Sequence, residues 1–121
     1  MRLYHSSYLK LSVINPMKGN DRHNGEDDRA VNQLVVYLTT AEDEIFRGKG
    51  VESVATYKYV VEIPEDDPDL FLDEKDFVFR QEYNEALGET DTTKWYFFKR
   101  STKVQETLEW DGRKYVKRNN F

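Results

Sequence analysis

Gln33-Leu34-Val35-Val36-Tyr37-Leu38-Thr39 is the stretch on which the fold turns. Its aliphatic residues and one tyrosine follow each other without a polar break, the pattern of a β-strand buried on both faces rather than of a half-exposed strand. Such a strand belongs inside a sheet. Upstream, Arg2-Leu3-Tyr4-His5-Ser6 reads as a short strand that also lies inside the sheet, leading through Ser6-Ser7 into a small helix or turn closed by Pro16. Between the two, residues 17–32 turn to Gly, Asn, Asp and Arg without apolar periodicity. They read as a long loop, of the kind that is functional or mobile.

Downstream, Thr40-Ala41-Glu42-Asp43-Glu44-Ile45-Phe46 reads as an N-cap with acidic residues in the first turn of a short helix that ends near Gly48 or Gly50. Residues 53–63 place Val54, Tyr57, Tyr59, Val61 and Ile63 as a third strand, stopped by Pro64 and followed by the acidic loop Glu65-Asp66-Asp67-Pro68-Asp69. Phe77-Val78-Phe79-Arg80 and residues 93–99, 103–110 and 113–117 are further strand candidates. Asp111-Gly112 marks a two-residue hairpin turn between the last two. The expected architecture is an α+β domain dominated by strands, with few and short helices.

The composition agrees with a single domain over residues 1–121: 38% of the chain is apolar, and eight Tyr, seven Phe and two Trp supply bulk for a core. No apolar run approaches the roughly 18–20 residues that span a bilayer, and residues 1–10 lack a signal-type apolar stretch, so a soluble, cytoplasmic protein with no membrane partner is expected. The chain has no cysteine, which excludes disulfides, a thiolate nucleophile and Cys-based metal sites. His5 and His23 are the only histidines, so no metal centre is expected. Glycine-rich phosphate loops, the dinucleotide fingerprint and the serine nucleophile elbow are all missing. The net charge of −5 conceals an asymmetry: residues 1–93 hold 10 basic against 20 acidic side chains, residues 94–121 hold 8 against 3. A basic end on an acidic body more often pairs with its own fold than with a partner.

What remains is a distributed polar set: His5-Ser6-Ser7 at the end of the first strand, Tyr37 inside an apolar strand followed by Thr39-Thr40, and Asp66-Asp67-Pro68 after the third strand. Singly, each is more often structural: a satisfied histidine, a core ring, a solvated turn. In order, they resemble the rifampicin ADP-ribosyltransferase family. The matching segments are Leu3-Tyr4-His5-Ser6-Ser7, Arg29-Ala30-Val31-Asn32, Val36-Tyr37-Leu38-Thr39, Val61-Glu62 and Glu65-Asp66-Asp67-Pro68-Asp69, over about residues 2–76. The resemblance implies an ADP-ribosyltransferase-like split β-sheet fold with a His-Tyr-Asp site that holds NAD as co-substrate. His5, Tyr37 and Asp67 stand at its catalytic positions, and Ser6, Ser7, Arg29 and Thr39 at its NAD-binding ones. His5 would hold the adenosine-side ribose, Tyr37 would stack on nicotinamide, and Asp67, or its neighbours Asp66 or Glu65, would stabilise the oxocarbenium-like charge that develops as the glycosidic bond breaks. Ser6 stands where the family has glycine, and the family's acceptor-side segment is not evident beyond residue 76.

Three functions are therefore expected in order: a mono-ADP-ribosyltransferase acting on a protein, nucleic-acid or small-molecule acceptor; a non-catalytic module of the same fold that binds or sequesters NAD, ADP-ribose or a related signalling nucleotide; and an interaction module for nucleic acid or protein. The last would use the basic residues of 94–118 with Trp95, Tyr96, Phe97 and Phe98, although four consecutive aromatics more often alternate between two buried faces.

Overall fold

A computed structural model describes residues 1–18, 33–47 and 50–117. The described elements are β1 (Arg2–Ser7), β2 (Val13–Ile14), β3 (Met17–Lys18), β4 (Leu34–Thr39), β5 (Tyr57–Glu62), β6 (Leu70–Leu72), α1 (Glu74–Leu87), β7 (Trp95–Phe98), β8 (Thr102–Lys103), β9 (Glu106–Trp110) and β10 (Tyr115–Lys117). The main sheet runs β10-β9-β5-β1-β4-β7-β6, with β3 also paired to β4, while β2 and β8 form a small ribbon. Every registered pairing among the described residues is antiparallel. The chain is thus a small, strand-rich α+β fold, and no described helix is long and apolar enough to cross a membrane.

Both strands singled out at the start lie inside this sheet, and β4 is covered on both faces. Alternation assigns the side chains. One face carries Leu3, Val36, Leu38, Tyr59, Val61, Tyr96 and Phe98, closed by Ile14 of the small ribbon. The other carries two separate clusters: Tyr4, Val60 and Leu108 with Tyr115, and Val35 and Phe97 with Tyr37 and Phe71. The first face is one continuous core; the second is interrupted. Trp95-Tyr96-Phe97-Phe98 alternates between the two, so Tyr96, Phe97 and Phe98 are buried and offer no exposed stacking platform for a nucleic acid.

Three local expectations are corrected. Phe77-Val78-Phe79-Arg80 lies in α1, not in a strand. Asp73 accepts a hydrogen bond from the Asp76 N–H at the helix start, and Gly88, with φ of 67°, closes its end in the left-handed region. Two caps outweigh four residues of strand-like composition. No helix forms at residues 41–47. The carbonyls of Glu42 and Glu44, which a helix would use internally, instead accept hydrogen bonds from the Lys58 ammonium. The last hairpin turns one residue later than expected: Asp111 N–H bonds the Lys114 carbonyl, leaving Gly112-Arg113 at the tip, where Gly112 takes φ of 101°. Between Ser7 and Pro16, where a small helix or turn is expected, the chain makes bends and the short β2. Most of the expected 17–32 loop lies outside the described residues, its first two forming β3.

Candidate functional site

β1 treats its two neighbours differently. It pairs with β5 at six successive positions, from Arg2↔Glu62 to Ser7↔Tyr57, but with β4 at Tyr4↔Thr39 alone. Beyond that pair the backbone ladder between the central strands lapses, and buried carbonyls there need other donors. His5 supplies one: its Nδ1 lies 2.8 Å from the Tyr37 carbonyl oxygen. A carbonyl can only accept, so Nδ1 carries the proton and Nε2 is left as an acceptor. Burial holds the His5 imidazole below its ordinary pKa, the hydrogen bond to Tyr37 opposing this only in part. The ring is neutral at pH 7.

The interruption of the second face falls at the same place. One of its clusters is built on β1, β5, β9 and β10, the other on β4, β6 and β7, so the apolar surface divides along the β1–β4 seam. Ser6, Tyr37 and Thr39 belong to this face; His5 and Ser7, by alternation, to the other. His5 and Tyr37 are therefore joined through a backbone carbonyl, and their rings project to opposite sides.

Next to Ser6 across β5 lies Lys58, which the sequence reading passed over. It is wholly buried, its Nζ donates to the carbonyls of Glu42 and Glu44 at 2.5 Å each, and it sits 4.3 Å from the centre of the Tyr115 ring. Burial lowers its pKa, and the neighbouring Glu44, Asp43 and Glu42 act in the opposite sense. Tyr115 donates to the Ala55 carbonyl, shares a side-chain hydrogen bond with Ser6 and meets Trp110 edge-on at 5.1 Å. The signal for Lys58 was a lysine between two strand tyrosines, Tyr57-Lys58-Tyr59, where plain alternation would have turned it to solvent.

The remaining candidates are held elsewhere. The Ser7 hydroxyl accepts from the Leu9 N–H, and Thr39 Oγ1 accepts from the Ala41 N–H while donating to the Lys94 carbonyl; both shape turns. Arg29 lies outside the described residues. Asp67 stands apart, before β6, three strand positions from β1 in the order β1-β4-β7-β6. At ~4.8 Å per strand, β6 itself lies roughly 14 Å from β1 across the sheet. Its carboxylate takes a two-pronged contact from Arg100, at 3.1 and 2.6 Å, and accepts from the Asp69 N–H at 2.9 Å. Arg100 also bonds Asp69 at 2.6 Å and lies over the Phe98 ring. These contacts, the Arg100 hydrogen bonds foremost, hold the Asp67 carboxyl below its usual range and raise Arg100. The structure thus joins His5 with Tyr37, gathers Ser6 with Lys58 and Tyr115, and leaves Asp67 to one side.

Of the basic residues in 94–118, Arg100 pairs with Asp67 and Asp69, Lys117 with Glu106, and Lys99 lies over Phe71. Three of the eight basic residues at this end are thus engaged with the chain's own acids and rings. Compared with known proteins, the chain matches no family model, no curated protein and no solved structure.

Proposed function

We propose that this chain is an ADP-ribosyltransferase-like domain of the cytoplasm that takes NAD at the β1–β4 seam and transfers its ADP-ribose to an acceptor, a glycosyl transfer that needs no metal. The observation that carries the reading is the seam itself: a ladder of one residue pair between the two central strands, bridged by His5 to the Tyr37 carbonyl. An antiparallel sheet that withholds pairing in its middle leaves polar groups for a ligand where a closed ladder would leave none. A neutral His5 with Nε2 as acceptor suits a ribose hydroxyl, which donates. Tyr37 belongs to an aromatic cluster with Phe97 and Phe71, a flat apolar surface of the kind on which a nicotinamide ring stacks. Ionised Asp67 is the charge type that the breaking glycosidic bond calls for, and it reaches the ribose in this reading only after leaving Arg100.

The test is incubation with NAD labelled in the nicotinamide ring. The native chain releases nicotinamide, and Tyr37→Ala and Asp67→Ala reduce the release at least tenfold. Absence of release with every acceptor offered rejects transfer.

Binding without turnover is the second reading, and one observation favours it: the Asp67 carboxylate is engaged by Arg100 and Asp69 rather than presented at the seam. Calorimetry separates the two. NAD or ADP-ribose bound by the native chain and weakened by His5→Ala, with no nicotinamide released, assigns a sequestering module. Cleavage that rises in Arg100→Ala restores the catalytic reading.

A further inference from the structure

Helix α1 buries none of its residues and keeps several large apolar side chains in water. Its half-buried side carries one ring, Phe77, among polar contacts: Arg80 bonds Asp76 at 2.8 Å and Asp91 at 2.7 Å, and Asn84 exchanges hydrogen bonds with the Asp91 backbone. Its outer side is apolar, with Val78 49%, Phe79 65%, Tyr83 51% and Leu87 58% exposed. Phe79, Tyr83 and Leu87 follow each other at i, i+4 spacing along one stripe, on which Phe79 and Tyr83 stack at 6.4 Å, and Val78 flanks Phe79 about 100° round the helix. Large rings left in water on one face of a capped helix mark a surface that another body covers.

The charges on the stripe identify that body. Lys75 and Glu82 line the same shallow groove as Val78 and Phe79. They lie equally far on either side of the midpoint between Val78 and Phe79, about 5 Å each way along the axis at 1.5 Å per residue. A two-fold axis through that midpoint sets Lys75 against Glu82 of a second copy and Glu82 against its Lys75, with the Val78 and Phe79 side chains crossing at the centre. Such self-complementarity is the signature of an isologous contact. It also argues against an anionic membrane, since acids outnumber bases on α1 (Glu74, Asp76, Glu82 and Glu85 against Lys75 and Arg80) in a chain of net charge −5.

We propose that α1 is a homodimerisation helix, which packs antiparallel on α1 of a second copy and is locked in register by reciprocal Lys75–Glu82 pairs. One helix face is smaller than the about 800 Å² per partner of a standard interface, so the dimer is expected to be weak and concentration-dependent, with a dissociation constant above about 1 μM.

Charge reversal tests it on the full chain by analytical ultracentrifugation over a wide concentration range. Lys75→Glu and Glu82→Lys are each expected to weaken self-association at least tenfold, because each sets like charges together twice. Mixing the two single variants in equal amounts restores a dimer of one chain of each kind, since both contacts then pair opposite charges; the double variant restores it with itself. Phe79→Asp abolishes it. Monomer at every concentration, or a dimer indifferent to all these changes, overturns the proposal. So does binding to anionic lipid vesicles by a chain that stays monomeric.

Discussion

Along one edge β1 is zipped to β5 by six residue pairs; along the other it touches β4 at one. The two edges belong to the same short strand, so composition alone cannot account for the difference. On the β5 side, side chains reinforce a ladder that already exists: the Tyr59 hydroxyl donates to the Leu9 carbonyl and accepts from the Leu11 N–H, tying the covering loop to the sheet. On the β4 side a side chain replaces the ladder, His5 standing in for a missing backbone donor. The first arrangement is a closed ladder, and the second is an interruption bridged by one side chain, the place where the proposed function seats its nucleotide. Substitutions that respect one edge and damage the other should separate the two roles.

The largest effect is expected on the zipped edge. Tyr59→Ala removes a fully buried ring and should cost about 3–5 kcal/mol of unfolding free energy, read from urea denaturation. Tyr59→Phe keeps the ring and loses only the hydroxyl bridge to Leu9 and Leu11, for about 1–3 kcal/mol. Next comes the covering segment on the other face. Lys58→Met keeps the stem but deprives the Glu42 and Glu44 carbonyls of their donor, for an expected loss of about 1–3 kcal/mol and faster hydrogen exchange confined to residues 41–47.

On the open edge the expected effects are smaller and of a different kind. His5→Ala should cost about 1 kcal/mol while removing nucleotide binding, a dissociation that no change on the β5 edge should reproduce. His5 also predicts a pH dependence. Its folded pKa lies below its unfolded value, so as pH falls below about 6.5 the unfolded chain binds the proton first and stability is lost. Denaturation at neutral and mildly acid pH should show a slope that His5→Gln, which keeps a donor for the Tyr37 carbonyl, reduces. The smallest change is expected away from both edges. In Arg100→Ala the Asp67 carboxyl should return toward its ordinary pKa, followed by NMR titration. The native chain keeps the ion pair's contribution at neutral pH and loses it as pH falls through the depressed folded pKa.

The sheet was legible in the sequence wherever a run of residues met one demand. Of residues 33–39, which read as a doubly covered strand, Val35 to Thr39 alternate between the two covered faces while Gln33 and Leu34 stay exposed, and 95–98 alternates between the same two faces. Legibility failed where a distant group decided a local matter. Thr40–Phe46 has the composition of a helix start, but its carbonyls are claimed by Lys58, 14 and 16 residues onward. Phe77-Val78-Phe79 has the composition of a strand, but the Asp73 cap and Gly88 surround it with helix ends. At the site, His5 and Tyr37 were brought together by resemblance, and they stand on adjacent strands, β1 and β4, with their rings on opposite faces. Asp67 was placed with them by the same resemblance, but it precedes β6, and β4 and β7 lie between β6 and β1, an order that no local pattern encodes.

The contact between Trp110 and Tyr115 has an optical consequence. The chain has two tryptophans, and they flank the seam: Trp95 is paired with Thr39, the residue that also closes the β1–β4 ladder, and Trp110 meets the ring over which the Lys58 ammonium is held. Each indole thus watches one bank. Replacing Trp95 or Trp110 singly by Phe leaves a one-colour probe on the opposite bank, and the emission of the two variants reports independently whether a ligand parts the strands, lifts the 41–47 segment, or does both.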